Sequence, residues 1–296
     1  MHLRKDELVN KNYIKKMLNP HTISIILAFS IFLCSNTIIK GQYKVNQEIG
    51  GIIGASYYLG DLNETHFKQS KPLGGISFRK NFDRRFAFKS SLIYSMLYAH
   101  DKNSSNAEHV NRNLHFRNYI IDLSGQIEFN FLPYEIGNPK YTWTPFLFTG
   151  VSIFNHNPET ENDNGEWIAL QPLGTEGQGT PFYNGRKKYA LTQFCLPFGG
   201  GMKIAISKDL NMIFEYGIRK TFTDYIDDVS TTYVGVDYAA QEFTSEAIHL
   251  NDRSLDGPKL QGDDRGNRLT EDWYSFSSLT LSFKLNNKQK GCNPSN

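Results

Sequence analysis

Asp224, Asp227 and Asp228 lie within one short polar stretch, and His249 follows in the same long segment. Neighbouring carboxylates with a histidine can activate water by general-base catalysis. The competing reading is a solvated acidic loop beside Arg219 and Lys220, because no spacing here fixes the geometry such chemistry needs. Ser104, Ser105, His109 and His115 supply hydroxyls and imidazoles, but without the strand-turn-helix setting of a nucleophile elbow they read as loop polarity. Gly199-Gly200-Gly201 has no Lys-Ser/Thr after it and opens no helix, so it is not a phosphate loop. Three cysteines match no thiolate metal spacing and no disulfide framework. The expectation is a protein without enzymatic activity or cofactor.

The elements that would position these residues come from a chain of 296 residues, 39% hydrophobic, 21% charged and 14% aromatic. With 21 Phe and 16 Tyr it is too apolar for a disordered protein. A net charge of +2 gives no footprint for nucleic acid.

A basic stretch (Arg4, Lys5, Lys11, Lys15, Lys16) leads into the apolar run Ile23 to Leu33. That run is too short to span a bilayer, which takes ~20 residues, but it fits the hydrophobic region of an export signal. Residues 1–41 are therefore expected to be a signal peptide, with Met17 an alternative start and cleavage near Gly41. A lipid anchor at Cys34 is disfavoured by Phe32 and Leu33 before it. The remainder carries 26 Lys/Arg against 28 Asp/Glu. It contains no apolar run long enough for a transmembrane helix.

Beyond Gln42 the dominant period is two, with no helical period competing. From Arg117 to Leu132 the odd positions include Tyr119, Ile121, Leu123, Ile127, Phe129 and Phe131. The even ones are Asn118, Ile120, Asp122, Ser124, Gln126, Glu128 and Asn130, so one face is apolar and the other nearly all polar. The same alternation runs from Phe86 to Ala99, Leu210 to Phe222 and Trp273 to Leu285. It is noisier over Glu48–Gly60, Gly74–Phe82, Tyr141–His156 and Tyr189–Ser207. The glycines in these noisier segments predict tight bends in a closing sheet.

Eight segments joined alternately by short turns (83–85, 133–140, 208–209) and long polar loops (61–73, 101–116, 157–188, 223–271) predict an all-β fold. Specifically, they predict an eight-stranded antiparallel transmembrane β-barrel over 42–285, with short periplasmic turns, long outer loops and a periplasmic tail at 286–296. A soluble barrel is the competitor. Eight strands enclose room only for filling side chains or one small ligand, and the apolar faces here are too bulky for that space. The polar faces bring Glu48, Arg79, Lys89, Asp122, Glu128, Lys203, Glu215 and Arg219 inward, where buried charges require partners. Tyr57, Tyr98, Tyr141, Trp143 and Trp273 near strand ends suit interfacial girdles. Cys195 reads as a small lumen filler, and Cys292 lies in the tail. The segment Asn157–Lys188 is read as a long unstructured outer loop, either mobile or in contact with a ligand.

Several runs also resemble a family. These are Gly54 to Leu62 (GASYYLGDL), Arg186 to Tyr189, Leu191 to Phe194, Pro197 to Gly201, Asp272 to Tyr274 and, most specifically, Glu215 to Ser230 (EYGIRKTFTDYIDDVS). Together they are similar to the PorG outer-membrane barrels of Bacteroidetes, over nearly the whole chain past the signal. The basic extension before Met17 departs from the pattern. The resemblance implies a non-enzymatic outer-membrane part of the type IX secretion and gliding-motility machinery, associated with the periplasmic ring of the PorK lipoprotein and PorN. It supplies no catalytic residues. It puts Asp224, Tyr225, Asp227 and Asp228 at the outer rim, to pin loop structure or meet another barrel. Topology then points to Asp83, Arg84, Arg85, Tyr134, Lys208, Asp209 and the tail as periplasmic contacts. The other readings are a small outer-membrane channel and a barrel hydrolase using the outer-rim carboxylates.

Overall fold

Alternating side chains force each extended segment to hide one face, and in this chain the sheet does so by closing on itself. The computed structural model describes residues 45–285. Its strands are β1 (Asn46–Leu59), β2 (Lys71–Asn81), β3 (Phe86–His100), β4 (His115–Asn130), β5 (Trp143–Asn155), β6 (Pro158–Glu161), β7 (Trp167–Ala169), β8 (Thr192–Ala205), β9 (Leu210–Thr221) and β10 (Trp273–Leu285). The order β3-β2-β1-β10-β9-β8-β5-β4, with β4 returning to β3, makes a closed eight-stranded antiparallel wall. No wall strand is left with an unpaired edge. The expected signal segment, Cys34, the tail and Cys292 lie outside the described residues.

Burial settles which face meets which medium. Along β4 the even residues Asn118 to Asn130 are buried, and Ile121, Leu123 and Ile127 are exposed. Ile53, Ile76, Leu92, Leu147, Val151 and Phe194 are likewise exposed around the wall. So much apolar surface on a closed, fully hydrogen-bonded barrel is stable against hydrocarbon and not against water. The chain is a membrane-spanning β-barrel. Among the described residues no helix is long and apolar enough to cross a membrane, so the strands do the spanning.

The lumen is filled and zoned. Towards the short-turn end it is mostly ionic, with Phe146 and Phe148 set among the charges, whereas the outer half is mostly apolar, with Ile93, Leu97, Phe116, Ile120, Phe154 and Phe276 buried around the Arg219–Asp122 pair. The sequence suggested a polar lumen throughout. It gave too little weight to inward positions such as Leu97 and Phe116, which serve as the core beneath the outer loops. The glycines of β8 and β9 also have a different purpose from bending. A Cβ at Gly217 would sit 2.6 Å from Phe148 Cζ, and one at Gly201 would sit 2.8 Å from Phe146 Cε1. They leave room for two phenyl rings inside the barrel.

The long loops carry more structure than period-two reading allows. A 3₁₀ turn (Asp101–Asn103) and α1 (Ala107–Arg112) follow β3, and α2 (Val236–Glu242) and α3 (Ser245–Asn251) lie between β9 and β10. The Asn106 side chain caps α1 by accepting from Glu108 N, and Thr244 caps α3 by accepting from Ala247 N. Helices this short show no amphipathic period and so leave no local signal in the residues. Nor is the segment after β5 unstructured, because the β6–β7 hairpin extends β4 through Arg117 opposite Glu159. His115 belongs to β4 and stacks on His100 at 4.8 Å.

Candidate functional site

Inside the wall, the eight lumen charges pair in three groups. Arg79 donates from Nε and Nη2 to both oxygens of Glu128, at 2.8 and 3.0 Å, and reaches Glu48 at 3.4 Å. Lys203 Nζ donates to Glu128 Oε2 at 2.6 Å and to Asn130 at 2.9 Å. Lys89 holds both oxygens of Glu215, at 2.7 and 2.6 Å. Arg219 lies 3.4 Å from Asp122, which also accepts from Tyr274 OH at 2.8 Å. Four acids meet four bases, so the lumen is electrically neutral and crosslinks the wall. Cys195 is buried beside Tyr274, with Sγ 3.4 Å from its hydroxyl.

At the short-turn end the residues singled out by sequence divide. Asp83, Arg85, Lys208 and Asp209 are exposed. Arg84 is half-buried, pairs with Glu135 at 2.8 Å and stacks on Tyr141. Tyr134 is a correction: it is 2% exposed and buried with Ile136, whose carbonyl accepts from Lys284 Nζ. A large ring beside a charged lumen is better used as a stopper than as a surface contact, and Tyr134 takes that role.

The outer end is closed by loops locked together through buried acids. Tyr58, at the outer end of β1, has its hydroxyl 2.5 Å from Asp227 Oδ2 and 2.6 Å from Asp272 Oδ1. The remaining oxygens accept backbone amides, Asp227 Oδ1 from Val229 and Asp272 Oδ2 from Ile226. Asp228 accepts from Thr175 and, at 2.7 Å, from Tyr189 OH. Glu176 is fully buried. It accepts from Ser230 N, Thr231 N, Thr231 Oγ1 and Arg265 Nη1, tying the β5–β8 loop to the β9–β10 loop. Arg112 of α1 pairs with Asp101 and donates to the carbonyls of Arg265 and Asp61. Tyr189 and Tyr225 stack at 4.8 Å.

Burial dominates the electrostatics of this cap. Desolvation pushes Asp227 and Asp272 well above the usual carboxylate range. It raises Asp228 to about 6, although the Arg265 guanidinium pulls the other way. Half-buried Asp224 is pushed up to about 8, with Asp61 and Glu176 adding to the burial effect. His249 is exposed on α3 and lines a separate small cavity with Asp252 and Val236. The structure therefore does not assemble Asp227, Asp228 and His249 into a water-activating group, and the two buried aspartates are already engaged as acceptors. Among the described residues no three His, Cys, Asp or Glu side chains are grouped to hold a metal.

An outer cleft of about 1260 Å³ borders this cap, lined in part by Asp61, Glu64, Asp264, Arg268 and Glu271. Of the girdle aromatics, Trp143 is exposed, but Tyr57 is buried beneath Phe67 (ring centroids 5.2 Å apart) and hydrogen-bonded to Tyr216 at 2.6 Å. The loop after β1 folds back over it. Sequence reading missed Tyr58, Glu176, Arg265 and Arg112 as parts of the cap. Tyr58 lay in the quoted run Gly54 to Leu62 and Asp272 in the run Asp272 to Tyr274, without any sign that the two meet, and a lone Glu in a glycine-rich stretch carries no local signal.

Residues 24–167 match a family model described as a domain of unknown function, DUF6089. A comparison with curated protein sequences found no match. Among solved structures, the chain is similar to the attachment invasion locus protein Ail of Yersinia pestis (6% identity, TM-score 0.40), covering 82% of this chain and 100% of Ail. It is similar to Neisserial surface protein A (9% identity, TM-score 0.41), with coverage of 82% and 100%. It is also similar to the outer membrane protein OprG from Pseudomonas aeruginosa (6% identity, TM-score 0.31), with coverage of 82% and 95%. The fold assignment itself rests on strand order, closure and the apolar exterior.

Proposed function

We propose that this barrel is a non-enzymatic outer-membrane component of the type IX secretion and gliding machinery, seated on the periplasmic ring of PorK and PorN. The observation that carries the reading is the long motif Glu215 to Ser230, similar to PorG proteins, together with the shorter runs quoted above. A lumen filled by paired charges and apolar rings, stoppered at one end by Tyr134 and capped at the other, supports a scaffold over a channel. The engagement of Asp227 and Asp228 in hydrogen bonds supports a structural use of the outer-rim motif over a hydrolytic one. Outer-membrane lipids contact the wall, and the exposed turn residues Asp83, Arg85, Lys208 and Asp209 are the surface offered to the ring.

The test is affinity purification of the tagged chain from membranes, with probing for the ring lipoprotein. Wild-type barrel brings PorK with it, whereas Arg85→Glu combined with Lys208→Glu reduces recovery without unfolding the barrel. A clean deletion leaves type IX cargo in the periplasm. Normal cargo export in the deletion strain removes the proposal.

A further inference from the structure

A tyrosine hydroxyl has one hydrogen, yet Tyr58 faces two carboxylate oxygens at hydrogen-bonding distance, Asp227 Oδ2 at 2.5 Å and Asp272 Oδ1 at 2.6 Å. Both carboxyl groups are at most 1% exposed. Among the described residues no Lys, Arg or His nitrogen lies within 4.0 Å of either. The nearby guanidiniums are committed elsewhere, Arg112 to Asp101 and Arg265 to Glu176. Two short contacts from one hydroxyl are compatible only if one carboxyl is a carboxylic acid. That acid donates to Tyr58 Oη, and Tyr58 donates onward to the other, ionised carboxylate.

We propose that Asp227 and Asp272 hold one shared proton through Tyr58, and that this proton latches the β9–β10 loop across the outer mouth of the barrel. The two aspartates stand near opposite ends of that loop, Asp227 soon after β9 and Asp272 immediately before β10. Tyr58 belongs to the wall, so a single proton joins both ends of the loop to the rim. The packing around it is acidic on nearly every side. Asp61 comes from the β1–β2 loop, Asp224 and Asp228 from the β9–β10 loop, and Glu176 from the β5–β8 loop. Tyr189 also faces Asp227 from the β5–β8 loop, and among the described residues the cations set against these acids are Arg112 from α1 and Arg265 from the β9–β10 loop. Phe116 from β4 closes the remaining side, edge-on to the Tyr58 ring at 5.0 Å. Losing the proton leaves two carboxylates facing one hydroxyl in a dry site, which Coulomb repulsion and desolvation both oppose.

The direction of the effect follows from linkage. The closed loop binds one more proton than the opened loop, whose solvated aspartates are ionised at neutral pH. Closure is therefore strongest in acid and weakens as pH rises towards the raised ionisation of the pair. Over that range the opening constant rises by up to about tenfold per pH unit.

The experiment uses the full barrel in nanodiscs and follows amide hydrogen exchange at Ile226 and Val229, whose N–H groups are held by this pair. Rates are corrected for intrinsic exchange between pH 6 and pH 9. Wild type should lose protection with rising pH at close to the single-proton slope. Asp272→Asn should stay protected with a flat profile. Its amide donates to Tyr58 Oη as the acid does, and its oxygen still accepts from Ile226. Asp227→Asn is the second variant, with the same expectation through Val229. A flat wild-type profile overturns the latch. So do Asn variants that are unprotected at every pH while their barrels migrate as folded on unheated gels.

Discussion

Arg79 grips both carboxylate oxygens of Glu128 across the lumen, at 2.8 and 3.0 Å, while Lys203 closes on the same carboxylate from another strand at 2.6 Å. One glutamate thus ties β2, β4 and β8 together where water is excluded. Fork-to-carboxylate geometry of this kind is the strong form of ion pairing.

Replacing Glu128 with Ala leaves Lys203 without a carboxylate partner and Arg79 with only the longer contact to Glu48. Breaking a buried pair in this way costs about 3–5 kcal/mol. The variant should unfold from detergent micelles at distinctly lower urea concentration than wild type. Restoring neutrality with Glu128→Ala and Lys203→Met together should recover part of the loss. A single variant as stable as wild type would remove the crosslinking role.

The orientation of the wall makes Leu123 and Ser124 opposites, since the former is exposed on the outer surface and the latter is buried. Leu123→Arg near the middle of β4 should cost about 2–4 kcal/mol on folding into bilayers. Ser124→Ala, which removes a hydroxyl paired with Ser91 at 2.7 Å and with Gln126 Nε2 at 3.2 Å but brings no charge into lipid, should cost less. Folding yields into lipid vesicles check this. Equal yields for the two would place Leu123 away from lipid.

Glu176 is the joint between the two longest outer loops. Glu176→Ala leaves Arg265 buried without its partner and two backbone amides without an acceptor. Trypsin should then cut within 156–191 and 222–272 at rates at least tenfold above wild type, with the eight wall strands protected. Unchanged cleavage would mean that the cap is held by other contacts.

His156 tests the cap from the acid side. Its Nε2 lies 3.2 Å from the carbonyl of Ala190, and Asn118 Nδ2 donates to its Nδ1. Only the neutral imidazole can accept there, and burial lowers its ionisation from 6.5 to about 4. A base depressed in the folded state contributes stability that is full above pH 6.5 and lost as pH falls through about 4. The His156 imidazole resonance, assigned by its absence from the His156→Gln spectrum because His100 and His115 are lowered to a similar value, should titrate near 4 in micelles. A midpoint near 6.5 would show His156 to be solvated.

The wall was legible from residue types alone because lipid and lumen impose opposite chemistry at a period of two. Ile121, Leu123 and Ile127 could only face outward once Asp122, Ser124 and Glu128 needed partners. Strand ends moved by a few residues, as at Lys71 and Thr192, because pairing partners rather than composition end a strand. The lumen charges were legible as a set but not as pairs, since Arg79 finds Glu128 only through the shear of a closed barrel.

The cap was not legible, and neither was the Tyr134 stopper. Tyr58, Glu176 and Asp272 are far apart in sequence and carry no periodic signal, and the acids around them read as a solvated loop. Only folding the long loops onto the rim removes the water that would have kept those carboxylates apart. Local alternation decides a barrel's faces, whereas the chemistry at its mouth is decided by which distant loops are desolvated together.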